Sequence, residues 1–201
     1  MALVTASVLK TYLPEIQGTA LDTELNSLLT RIESEVSRFL GFPIPDVGQS
    51  PTLDAVAYTF FLDGPSTWNS RVLQLPIFPV SAITNIYVDS NRDYGASTII
   101  ASSEYDLDIQ KGLCILKETS SKTWEKGYRY IKAQCTAGWS SSPADLEHAI
   151  CILASIAQRS KSNAGKKSIS QRGSTITLSP RTIPDEVKEI IYPLRSNSLY
   201  L

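Results

Sequence analysis

The groups able to do acid–base or nucleophilic chemistry are few. His148 is the single histidine, in the stretch DLEHAICILA, three residues before Cys151. Three residues is close to one helical turn, so an imidazole and a thiol so spaced share a helix flank, the minimum for a Cys–His nucleophile. A helix interior presents a nucleophile poorly, and any Ser-His-Asp arrangement would need the same histidine. A packed or surface-facing His148 is the plainer reading, and no enzymatic activity is expected.

Metal and phosphate chemistry has less support. The sequence contains no C-x-x-C, no H-x-x-x-H and no calcium-loop pattern. The single glycines of DGPSTW and EKGYRY suit turns and do not form a phosphate-cradling loop. The carboxylate pairs Asp106/Asp108 and Asp185/Glu186 have no evident acid–base partner. Tyr128, Arg129, Tyr130 and Lys132 interleave aromatic and basic side chains, a faint form of the pattern that binds single-stranded nucleic acid. No catalytic residue, metal ligand or cofactor is expected.

The elements that would have to position such groups fall into three zones. Thr5 is placed to cap a short helix through Leu13. After Gly18, the segment LDTELNSLLTRIESEVSRFLG sets Leu21, Leu25, Leu28, Leu29, Ile32, Val36, Phe39 and Leu40 along the stripe of an amphipathic helix over about 20–40. Thr19 and Asp22 resemble a capping pair, and Gly41 suits a left-handed C-terminal cap. From about 55 to 135 the period shortens to that of strands: AVAYTFFLDG, RVLQLPIFPV, ITNIYVDS, EYDLD, GLCILK and YRYIKAQC. In the last of these Ile131, Ala133 and Cys135 point one way, opposite Tyr128, Tyr130 and Lys132. A third zone opens at AGWSSSPADLEHAICILASIAQRSK, with Ser142 as N-cap, Pro143 at the first helical position and Asp145 at the third of a helix over about 143–160. Its core stripe is Leu146, Ile150, Leu153 and Ala157.

The fold class expected is α+β. Terminal helices pack together, an antiparallel meander or small barrel is inserted between them, and a C-terminal arm follows. Residues 1–161 form one domain on this reading. Residues 162–201 form the arm, with at most one short strand at Ile176–Leu178, a helix over about 184–192 that Pro193 ends, and a tail.

Apolar content of 42% and charged content of 19% are those of a globular protein, which excludes wholesale disorder. The absence of a long apolar run argues against a membrane partner, and MALVTASVLK lacks the features of a signal peptide. Three well-separated cysteines, Cys114, Cys135 and Cys151, read as buried free thiols in a reducing compartment. The net charge of −1 conceals an asymmetry: acids dominate residues 1–63, whereas no acid occurs between Glu147 and Asp185. Arg159, Lys161, Lys166, Lys167, Arg172 and Arg181 fall in that interval. Opposite segments of this kind suit contact between like subunits or with a polyanion; a solvated loop that happens to be basic is the equal alternative.

The tail YPLRSNSLYL places Leu199, Tyr200 and Leu201 after a polar spacer, so these side chains either fold back onto their own domain or serve as a hook for another protein. The order of TASVLKTYL, ESEVSRFLGF, LQLPIFPVSAITNIYVD, YDLDIQKGLCIL, TAGWSSSPADLEHAICILA and IPDEVKEIIYPLR resembles the tailed-phage head–tail connector family, also called adaptor or head-completion proteins. Its sharpest elements are Ala137-Gly138-Trp139 leading to Pro143-Ala144-Asp145-Leu146, and the Pro79-Val80 pair. The resemblance implies a virion protein of the neck, made in the host bacterial cytoplasm. Such a protein forms a ring, commonly a dodecamer, beneath the portal, and carries the stopper or tail-completion protein. Packaged double-stranded DNA passes through it without sequence-specific binding. It also implies that Tyr192, Pro193, Leu194, Arg195, Leu199, Tyr200 and Leu201 reach the portal. Arg159, Lys161, Lys166, Lys167 and Arg172 then contact a neighbouring subunit or face the channel. A stopper or tail-completion protein, a small nucleic-acid-binding module and a Cys–His enzyme are the alternatives.

Overall fold

A computed structural model describes residues 3–65, 70–161, 168–171, 174–177 and 183–195. They fall into two compact units: residues up to Val36 together with those of Ser142–Arg195, and Ser37–Ser141. The helix expected over about 184–192 lies in the first unit.

The first unit holds α1 (Ala6–Lys10), most of α2 (Asp22–Leu40), α3 (Ala144–Arg159) and α4 (Asp185–Ile191). Thr5 is the N-cap residue of α1, in extended conformation but without a side-chain cap bond. In α2, Leu25, Leu29, Ile32, Val36 and Leu40 are buried while Leu21 is 40% exposed, so the stripe is real but begins one turn late. Asp22 pairs with Lys10. The Val4 N–H donates to Glu33 at 3.0 Å, which ties the segment before α1 to α2. Around α3 burial covers Leu146, Ala149, Ile150, Cys151, Leu153, Ala154 and Ser155, a wider face than the single stripe expected.

The α3 cap falls one residue later than the sequence suggests. Pro143 is the N-cap, extended at φ −59° and ψ 144°, its carbonyl accepting the Glu147 N–H at 2.9 Å. Ser142 bonds the Pro143 carbonyl instead, and Asp145 sits at the second helical position. A proline ring fixes φ, so the extended cap conformation needs no hydroxyl to select it.

The arm also differs. A hairpin joins β8 (Ser168–Gln171) to β9 (Ser174–Thr177), pairing Ile169 with Ile176, where only one strand was expected. After α4 a single 3-10 turn, Tyr192–Leu194, contains Pro193.

The second unit is two antiparallel sheets and no closed barrel. One has the order β1 (Val56–Leu62), β7 (Ile131–Ala137), β3 (Val80–Val88), β4 (Ile99–Ile100); the other runs β2 (Val72–Gln74), β6 (Leu113–Leu116), β5 (Tyr105–Asp108). Strand β7 lies between β1 and β3, with Cys135 opposite both Tyr58 and Ile83, so the sheet is not a sequential meander. Ile131, Ala133, Cys135 and Ala137 are buried, as their alternation requires. Tyr128, by contrast, precedes the strand and is 65% exposed.

The sharpest sequence signature is a packing device in this unit. The Gly138 N–H donates to the Pro79 carbonyl at 2.9 Å, and Val80 pairs with Ala137. Gly138 has φ +109°, and a Cβ there would lie 2.3 Å from the Asp54 carbonyl oxygen. Trp139 bonds residues 53–55 through its backbone and stacks on Phe42 at 5.2 Å. Gly41, at φ +81°, ends α2 with the paired bonds of a left-handed cap, Phe42 N–H to Ser37 at 2.9 Å and Gly41 N–H to Arg38 at 3.1 Å.

Candidate functional site

His148 and Cys151 do not form a nucleophilic pair. His148 is exposed and hydrogen-bonded through Nδ1 to the Tyr12 hydroxyl, 2.8 Å away. Cys151 is fully buried, and burial, with Glu147 nearby, pushes its thiol up to about 11. Burial pushes Cys114 and Cys135 up to about 12, and all three are free cysteines. A thiol so shifted holds its proton at neutral pH and is a poor nucleophile.

The carboxylates are occupied with local structure. Asp108 accepts the N–H groups of Gln110 and Lys111, both at 3.1 Å, and Asp106 pairs with Lys117. The Lys188 ammonium, 2.7 Å from Asp185, holds that carboxyl below its ordinary range. Asp89 is 8% exposed. Burial alone would raise its pKa, but the N–H groups of Asn91, Tyr94, Asp93 and Arg92 outweigh that and lower it. Among the described residues no three His, Cys, Asp or Glu side chains gather as metal ligands, and no helix is long and apolar enough to cross a membrane.

The glycines of DGPSTW and EKGYRY come together, the Gly64 N–H donating to the Gly127 carbonyl at 2.8 Å. Nearby is a tie with no sequence signal. Trp124, 1% exposed, donates its indole N–H to the Arg71 carbonyl at 3.0 Å. The Arg71 guanidinium in turn bonds the carbonyls of Leu116, Lys117 and Ser120.

Part of the aromatic–basic interleaving is real. Arg129 lies over the Phe61 ring at 4.6 Å, and the Lys132 ammonium sits 5.2 Å from the Tyr87 ring centre and 5.6 Å from that of Tyr94. Phe61, Tyr87 and Tyr94 join the cluster from other segments, which the sequence could not reveal. The cations cover the rings that a base would need, so the arrangement is a poor stacking platform.

The residues expected to mediate assembly are dispersed. Gly138 and Trp139 are structural, as described. Arg159 pairs with Glu15 at 3.1 Å and bonds the Tyr12 carbonyl, and Lys161 pairs with Glu24. These two basic residues are therefore engaged within their own chain. Tyr192 is 62% exposed, Pro193 is exposed, and Leu194 and Arg195 are half-buried. Lys166, Lys167, Arg172, Leu199, Tyr200 and Leu201 lie outside the described residues. Sequence reasoning missed a groove between α3 and α4, lined by His148, Ile152, Glu186, Glu189 and Ile190.

The chain is similar to solved neck proteins of gene transfer agent particles. It matches a chain of "Neck of empty GTA particle computed with C6 symmetry" with TM-score 0.53 at 19% identity, covering 87% of this chain and 79% of that one. For "Neck of native GTA particle computed with C12 symmetry" the TM-score is 0.51 at 20% identity, covering 94% and 90%. A chain of "Virion of native gene transfer agent (GTA) particle" gives 0.51 at 19% identity, covering 90% and 80%. At these identities the likeness is one of fold. Among curated proteins none matches the sequence. The family model described as "Head completion protein" matches residues 2–196, nearly the whole chain, and the protein belongs to the head completion protein family.

Proposed function

We propose that the protein is a non-enzymatic adaptor of the virion neck: copies close into a ring beneath the portal, extend the DNA channel and carry the stopper or tail. The observation that supports this most is the fold likeness, over 87–94% of the chain, to neck proteins solved with six-fold and twelve-fold symmetry. A dodecamer is the ring this favours. Packaged DNA passes through it without being read.

Portal attachment rests on Tyr192 to Arg195 and on Leu199, Tyr200 and Leu201. Burying each apolar side chain of that triplet contributes about 1.5–3 kcal/mol. Ordering each residue of the segment costs about 1–2 kcal/mol, so one segment roughly breaks even. A ring presents many copies, and after the first docks the rest act at high effective concentration. Weak contacts suffice once symmetry multiplies them.

The test is capture of the full-length chain on purified portal, with and without residues 193–201. Retention of the intact chain and its loss on truncation are expected. Retention unaffected by truncation would remove the segment from the interface. Binding to tail-tube protein alone would mark a tail-completion protein instead.

A further inference from the structure

Helix α3 is apolar on more of its surface than its own unit covers. Leu146, Ala149, Ile150, Leu153 and Ala154 are buried, yet Ile152 is only half-buried and Ile156, one turn on, is 44% exposed. His148, Ile152 and Ile156 lie at i, i+4 and i+8, a second stripe along the helix. A helix apolar around most of its circumference calls for cover on its outer side as well. Alongside runs α4, whose Ile190 is half-buried and whose Glu186 and Glu189 are exposed. With His148 and Ile152 these residues line the groove. Among the described residues neither glutamate has an ion-pair partner, while Lys188 of the same helix pairs with Asp185.

The surface is thus apolar at its floor and negative at its edge. It calls for a segment with isoleucine-like side chains, several cations and no acid. Residues 148–184 contain no acid at all, and their central part carries Lys166, Lys167, Ile169, Arg172, Ile176 and Arg181. Within that central part the described residues are those of the β8–β9 hairpin, a two-stranded sheet of its own. A two-stranded ribbon is marginal in water until it packs on something else.

We propose that the α3–α4 groove receives the β8–β9 segment of a second copy of this chain. The contact is heterologous, groove to ribbon, and so propagates around a ring instead of closing a pair. It rests on the ring reading above and identifies the surfaces that build the ring. It also revises which acids matter. Glu15 and Glu24 are neutralised by Arg159 and Lys161 of their own chain, which leaves Glu186 and Glu189 for the neighbour.

The experiment mixes two full-length chains of different mass, one Glu189→Cys and the other Ser170→Cys, and adds a short bismaleimide. The three native thiols are buried. A crosslinked heterodimer is expected, absent when either variant is incubated alone. In parallel, native mass spectrometry follows assembly against concentration. The pair Glu186→Lys and Glu189→Lys should raise the half-assembly concentration at least about tenfold, as should Lys166→Glu with Lys167→Glu. The two pairs combined in one chain should restore it. Oligomers that form with unchanged midpoints and no heterodimer would overturn this contact and leave the ring reading intact. A crosslink confined to one chain carrying both cysteines would overturn it too. A wild-type chain that stays monomeric at every concentration, with and without portal, would overturn both.

Discussion

The two units differ in how their surfaces are finished. In the strand unit, turns are fixed by backbone meeting backbone, Gly138 against Asp54 and Gly64 against Gly127, and by a buried indole, Trp124, on the Arg71 carbonyl. The outer surface of the helical unit is held by exposed ion pairs, Arg159–Glu15 and Lys161–Glu24, and leaves Ile156 and Tyr192 facing water. Tight backbone approaches tolerate no side chain, whereas surface pairs are weak and replaceable. The contrast matches the contact proposed above, which uses the helical unit and leaves the strand unit as scaffold.

The contrast can be broken most severely at Gly138. Gly138→Val puts a branched side chain at φ +109° against the Asp54 carbonyl and should destabilise the protein by about 3 kcal/mol or more, read from urea unfolding. Tolerance of valine there would show that the turn is not fixed. A middling effect is expected at Asp89. Its carboxyl is held below the ordinary 3.8, so the stability it adds is present at neutral pH and disappears as pH falls through the lowered folded value. Asp89→Asn should therefore be less stable than wild type at pH 7, with the gap closing in strong acid. A gap independent of pH would assign the effect to packing. The smallest effect belongs to the helical unit. In a double-mutant cycle on Glu15 and Arg159 the coupling should be slight at physiological salt and lost in 1 M salt, because both side chains are more than half exposed. A large, salt-resistant coupling would erase the contrast.

Much of the architecture is legible without coordinates, because periodicity is local. The leucines of α2, the Gly41 cap and the alternation of β7 each occupy a single stretch of chain. Strand order is not local. Nothing in residues 131–137 says that they run between β1 and β3, which is why a meander or barrel was expected where two sheets stand. The two-residue strand β4 is too short to carry a period, and the serines and threonines of the β8–β9 hairpin disguise its alternation. The Arg71–Trp124 tie joins residues 53 positions apart, beyond any spacing rule. At the candidate site the spacing of His148 and Cys151 is legible in the sequence, but the Tyr12 hydroxyl that His148 meets is not, since it comes from a distant segment. The groove became visible only when α4 was placed beside α3, since its two walls come from distant segments.

The helical unit is drawn from both flanks of a continuous strand unit, Ser37–Ser141. During synthesis the strands leave the ribosome before α3 and α4 exist, and domains generally fold as they emerge. The N-terminal helices must wait for partners that appear later, across a long loop whose closure costs less once the intervening strands are already compact. On the ring contact proposed above, the surface for neighbouring copies would be the last to mature, a delay that would keep half-made chains from polymerising.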